Sequence, residues 1–184
     1  MIKLFLGVAL LVGQVSINFL SDKPAAAPYS DAETSTQISD DLSIISYSEA
    51  TPDQKESVCK ILEEAFMFFT PEYLNDSYSK NNILISGNAV KGALIYEDYQ
   101  DADEIKCRNI HYLAIDRSIR RKGYGKYLME KNQNDAQKLG IQKIQLRSAI
   151  DAIRFYKKIG FKSAGSSVLD MAKNLQSSKE TKND

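Results

Sequence analysis

Apolar and polar positions change their period several times along this chain, and each change predicts an element. Leu42 to Tyr47 reads as a first strand. Thr51-Pro52-Asp53-Gln54 then supplies a helix start: a hydroxyl N-cap, a proline in the first turn and a glutamine at capping-box distance. Val58, Ile61, Leu62, Ala65 and Phe66 follow at helical spacing and form one apolar stripe. Ile83 to Ser86 and Gly92 to Glu97 read as a hairpin about Gly87-Asn88, and Ile110 to Ile115 as a third, more continuously apolar strand. Leu128, Ala136 and Leu139 share a helical face that Asn132 interrupts and Gly140 ends; Ile144 and Leu146 alternate as a strand. Ser148 to Asp151 has capping-box spacing, with Ala152, Phe155, Tyr156 and Ile159 following helically as far as Gly160. Strand, helix, strands, helix, strand, helix is a mixed α/β order.

The ends read differently. Lys3 precedes an apolar run from Leu4 to Leu20, with Ala25-Ala26-Ala27 beyond it, so residues 1–20 are expected to be a signal peptide or a membrane anchor. Residues 21–41, rich in Ser, Thr, Asp, Ala and Pro without periodicity, read as a flexible polar linker; the domain is expected over Leu42 to Leu175, with a polar tail at 176–184. The protein is therefore expected to be membrane-anchored or secreted, with a cytoplasmic location as the alternative.

A chain of 184 residues, 43% of them apolar, suits one ordinary domain. Its 24 basic and 24 acidic residues cancel, so no global field draws it to nucleic acid, and no nucleic-acid partner is expected. Cys59 and Cys107, with the single histidine His111, make no metal-binding spacing; they read as buried thiols in preference to one disulfide.

Chemistry concentrates where a strand, a basic glycine turn and a helix follow one another: His111 to Ile115, Arg117 to Gly125, then Lys126 to Gly140. A helix start leaves amide donors unpaired and carries partial positive charge, so a glycine-rich approach lets those amides close on a phosphate. Gly123 and Gly125 remove side chains from that approach, and Arg120, Arg121, Lys122 and Lys126 surround it with cationic donors.

Arg120, Gly123 and Gly125 match in full the [R/Q]-x-x-G-x-[G/A] loop of the GNAT acetyltransferase superfamily, directly after Leu113-Ala114-Ile115. Ala152-Ile153-Arg154-Phe155-Tyr156-Lys157-Lys158-Ile159-Gly160-Phe161 resembles the family's A-x-x-[F/L]-Y-x-K-x-G-F helix. The resemblance spans about Leu42 to Leu175. It implies a mixed central sheet with splayed parallel strands flanked by helices, acetyl-CoA as co-substrate without a metal, and acetyl transfer to a primary amine of a protein or small molecule. It further implies that the backbone of Leu113, Ala114 and Ile115 binds the pantetheine arm across from Ile144 to Leu146, that Arg120, Arg121, Lys122, Gly123, Tyr124, Gly125 and Lys126 bind the pyrophosphate, and that Tyr156 faces the thioester sulfur as the proton donor to the leaving thiolate.

Departures from the family pattern shape what remains. Ala149 stands where the family often has a cofactor-binding Asn, so that contact is either missing or moved to Ser148. No glutamate occupies Ile110 to Ile115, which leaves His111 as the candidate base, since an imidazole exchanges protons near neutrality. Glu97, Asp98, Asp101, Asp103 and Glu104 form either a solvated turn or an attraction for a cationic amine, and Phe68, Phe69, Tyr73 and Tyr78 about Pro71 suggest an aromatic acceptor wall. A non-catalytic acyl-CoA-binding or interaction domain of the same fold is the alternative.

Overall fold

The computed structural model describes residues 41–165 and 167–175. The signal or anchor expectation for residues 1–20, nearly all of the linker and the polar tail lie outside the described residues. Among the described residues no helix is long and apolar enough to cross a membrane.

Among the described residues, seven strands form one sheet in the order β1-β2-β3-β4-β5-β7-β6. These are β1 (Leu42–Ile45), β2 (Lys80–Ser86), β3 (Ala89–Gln100), β4 (Lys106–Ile115), β5 (Lys143–Arg147), β6 (Lys162–Ser163) and β7 (Asp170–Asn174). All pairings are antiparallel except β4 with β5, which the helix α2 (Tyr124–Lys138) connects. A parallel neighbour cannot be reached by a tight turn, so the basic glycine loop and α2 lie on the crossover between these two strands.

The helix α1 (Pro52–Ala65) begins as its sequence predicts: Gln54 N–H donates to the Thr51 hydroxyl, and Thr51 N–H donates to the Gln54 side-chain oxygen. Its stripe of Val58, Ile61 and Leu62 is buried with Ile83, Ala93, Ile95 and Ala114 on one face of the sheet. The other face carries Leu84, Leu94, Tyr96 and Ile110 against Leu128, Met129 and Ala136 of α2. Each fully buried aliphatic side chain contributes about 1.5–3 kcal/mol, so the two layers together fix the sheet between its helices.

Local expectations fail in three places. Leu139 does not share the buried face, because α2 stops at Lys138 and Leu139 is 52% exposed, whereas Asn132 is completely buried. The Ser148 to Asp151 capping box does not form: the Ser148 hydroxyl donates to the Ala149 carbonyl, and a 3-10 turn at Ile150–Ala152 precedes the short helix α3 (Ile153–Lys158). Lys162–Ser163 and Asp170–Asn174, whose composition carries little strand signal, complete the sheet as β6 and β7.

Candidate functional site

The parallel pairing of β4 with β5 runs only from Cys107 opposite Lys143 to Ile110 opposite Leu146. Across the other edge of β4, Ile95 faces Tyr112 while Tyr96 faces Ile110, so His111 is an extra residue, a β-bulge. The bulge and the end of the parallel pairing coincide. Beyond them β4 continues to Ile115 while β5 ends at Arg147, and the two strands open into a V. Leu113, Ala114 and Ile115 thus keep β3 on one side and an edge without a strand partner on the other. Ile144 to Leu146 do not face them, being paired with Arg108 to Ile110. Gly92 makes the close β3–β4 approach possible: a Cβ there would lie 2.6 Å from the Ala114 carbonyl oxygen.

The loop leaves the end of this open edge. Asp116 accepts from Ser118 N–H (2.8 Å) and Oγ (2.7 Å), which holds its carboxyl below the usual range and sets the 3-10 turn Arg117–Ile119. Arg120 Nε donates to the Ile115 carbonyl at 3.1 Å, tying the loop back to the strand. Arg121 and Gly123 both have left-handed backbones, φ 65° and 90°, and Gly123 is the N-cap of α2 without a side-chain cap. The first amides of α2 therefore have no intrahelical partner. Arg120, Arg121, Lys122 and Lys126 are exposed around them, with Lys126 3.8 Å from Glu130. Tyr124 is half-buried against the core. At Gly125 a Cβ would meet Phe155 at 3.5 Å and Ile115 at 3.6 Å, ordinary contact distances, so the helix start packs closely against β4 and α3.

Tyr156 on α3 is buried on the α2 face, with ring contacts to Phe155 (5.0 Å) and Phe161 (5.7 Å). Burial pushes its phenol well above the ordinary tyrosine range, so it stays protonated at any physiological pH. Ser148, at the end of β5, is buried; its hydroxyl donates to Ala149 and its backbone N–H to the Leu169 carbonyl, which commits both of its donors within the protein.

His111 lies on the opposite face. Glu97 follows Tyr96, which faces α2, so by strand alternation it shares the α1 face of Ile95, and His111 Nε2 is 3.3 Å from Glu97 Oε1. The bulge sets His111 beside Tyr112 on that face. Phe66, Phe69 and Tyr73 stand edge-on around the Tyr112 ring, with centroids 5.0, 5.5 and 5.6 Å away. The structure therefore brings the loop, the open edge and α3 together, and holds His111 and Tyr156 on opposite faces of the opened sheet.

Residues 79–163 match the family profile described as an acetyltransferase (GNAT) domain. Over this stretch the chain is similar to the GNAT superfamily. Among solved structures it resembles the GCN5 of Tetrahymena, with 18% identity, 74% of this chain and 96% of the other covered, and a TM-score of 0.60. It also resembles the Ard1 of Thermoplasma volcanium (20%, 74% and 99%, 0.59) and AtaTR solved with AcCoA (20%, 74% and 94%, 0.58). At such identities the likeness is one of fold. No curated protein sequence matches this one significantly.

Within the matched residues, the acidic run after Glu97 is not a uniform solvated turn. Asp98 receives Arg108 Nε at 2.6 Å and Nη2 at 3.0 Å, and Arg108 is fully buried, with its guanidinium 4.0 Å from the Tyr96 ring centre and further bonds to the Asn132 carbonyl and Asp135. Asp101 accepts from the N–H groups of Asp103 and Ile105, and only Ala102, Asp103 and Glu104 in this turn are fully exposed. Sequence reading missed Arg108 and the bulge. The one available signal was the alternation that puts Arg108 in step with Ile110, beside Cys107, ahead of the apolar run that ends β4. Cys59 and Cys107 are free thiols, Cys107 buried and Cys59 partly so, and no group of residues among those described could hold a metal ion.

Proposed function

We propose that this domain transfers an acetyl group from acetyl-CoA to a primary amine of a protein or small molecule. The observation that carries the reading is the strand edge opened at His111, which leads straight into an uncapped, cation-ringed helix start. Amide-bearing pantetheine suits the strand edge at Leu113, Ala114 and Ile115, which lacks a strand partner and where the Ile115 carbonyl also accepts from Arg120, and a pyrophosphate suits the amides and cations from Arg120 to Lys126. Acetyl-CoA supplies the activated acyl carbon; the chain's own groups orient it, exclude water and move protons. Tyr156 holds a proton for the leaving sulfur and His111 accepts one from the nitrogen, from opposite faces of the V. Lys126 and Ser148 contribute least, since Lys126 is drawn toward Glu130 and the Ser148 donors are already used.

The engaged Ser148 hydroxyl and exposed Ala149 favour the second reading, an acyl-CoA-binding domain without turnover. Release of free CoA thiol from acetyl-CoA in the presence of a panel of amines separates the two. Amine-dependent release supports transfer; saturable acetyl-CoA binding without release supports the second reading. The apolar run Leu4 to Leu20 would place the domain at a membrane or in the secreted fraction, with the cytoplasm as alternative, and fractionation of the full-length chain decides between them.

A further inference from the structure

We infer that Glu97 is a positioning residue that fixes the proton of His111 on Nε2 and so leaves Nδ1 as the atom that accepts the acceptor amine's proton. The inference rests on the acetyl-transfer reading above and assigns a base to it.

Three observations lead to it. His111 is the bulge residue of β4, placed where the strand parts from β5, and bulges re-aim side chains at such openings. Glu97 comes from the adjacent strand and contacts the ring at Nε2, 3.3 Å away. A carboxylate only accepts, so the nitrogen facing it carries the hydrogen, and the neutral ring's lone pair is then on Nδ1. Glu97 is itself held: Asn109 Nδ2 donates to the same Oε1 atom at 3.4 Å. A carboxylate fixed by one neighbour and orienting an imidazole through its second nitrogen is the arrangement by which acid–base histidines are set to one tautomer. The ring is partly exposed and opens onto the face shared with Tyr112 and Tyr73.

In the transfer step the amine nitrogen bonds to the thioester carbonyl carbon and the carbon–sulfur bond breaks. The sulfur leaves with the electron pair of that bond and takes up a proton, and the proton lost from nitrogen goes to His111 Nδ1. The products are an amide and free CoA thiol: the proton that the sulfur takes up, from the Tyr156 side or from water, is made good by the one that His111 returns to water.

The chain contains a single histidine, so its imidazole nitrogens can be read without ambiguity by long-range proton–nitrogen NMR on the labelled full-length protein. In the neutral form, the parent and Glu97→Gln should show the Nε2–H tautomer. The glutamine seats its carbonyl oxygen where Asn109 donates and His111 Nε2 approaches. Glu97→Leu should show a mixture of tautomers, with kcat lowered about tenfold or more and KM for acetyl-CoA within about twofold, while Glu97→Gln stays near the parent. An unchanged tautomer in Glu97→Leu overturns the inference, as does an unchanged kcat in a parent that turns over. If the parent releases no thiol with any amine, the transfer reading falls and this role with it.

Discussion

The Tyr156 phenol combines a family-like position with a fully apolar setting. Burial raises its pKa, which keeps the hydroxyl protonated yet makes outright transfer to a thiolate harder; in the proposed transfer its part is a hydrogen bond that strengthens as charge builds on sulfur. Tyr156→Phe removes the donor and leaves the contacts with Phe155 and Phe161, so kcat should fall roughly 10²-fold with acetyl-CoA affinity nearly unchanged. A kcat within about threefold of the parent, when chemistry limits turnover, would make Tyr156 a packing residue. Asp98 is the second telling residue. Burial pushes its carboxyl up, but hydrogen bonds from Arg108 and Lys80 outweigh this and the carboxyl titrates below its usual range. A depressed folded-state pKa stabilises above the unfolded value of about 3.9 and is lost as pH falls through the folded value. Asp98→Ala should therefore lose about 3–5 kcal/mol at neutral pH, because Arg108 is left buried without its main partner, and its melting temperature should fall less steeply below about pH 4 than the parent's. Chemical denaturation at several pH values measures both.

At the scale of elements, the glycines of the site act through close approach. At Gly125 a single methyl fits at ordinary contact distance, whereas the γ-carbons of valine must displace Phe155 or Ile115. Gly125→Ala should retain acetyl-CoA binding. Gly125→Val should cost about 1–3 kcal/mol of stability and also misplace the α2 amides. At Gly92 even one methyl meets the Ala114 carbonyl, so Gly92→Ala should shift the open edge of β4 and weaken both stability and acetyl-CoA binding; circular-dichroism melts and calorimetry read the two effects. Elements specified by neighbouring residues were legible in the sequence: the Thr51–Gln54 capping box, the hairpin about Gly87-Asn88 and the strand–loop–helix from Leu113 to Lys126. Features specified by register were not. The His111 bulge exists only because β3 and β4 slip by one residue, and the Arg108–Asp98 pair only because their positions then face each other. The two-residue strand Lys162–Ser163 and the weakly apolar Asp170–Asn174 take their conformation from β5 and one another.

At the scale of the molecule, two apolar layers among the described residues, one under α1 and one under α2, draw on residues from Leu42 to Leu175. A chain beginning at Leu42 should therefore fold and bind acetyl-CoA as the full protein does, with an equal melting temperature within about 2 °C; an insoluble Leu42 chain beside a soluble one beginning at Ser21 would move the domain boundary into the linker. The account as a whole turns on the loop after β4 being an acyl-CoA site. Calorimetric titration of acetyl-CoA into the full chain and its Gly125→Ala and Gly125→Val variants tests that most directly. The account predicts one saturable site, similar affinity for the alanine variant and at least about tenfold weaker binding for the valine variant, a difference of about 1.4 kcal/mol. Absence of binding by the parent, or equal affinity in a folded Gly125→Val variant, would contradict it.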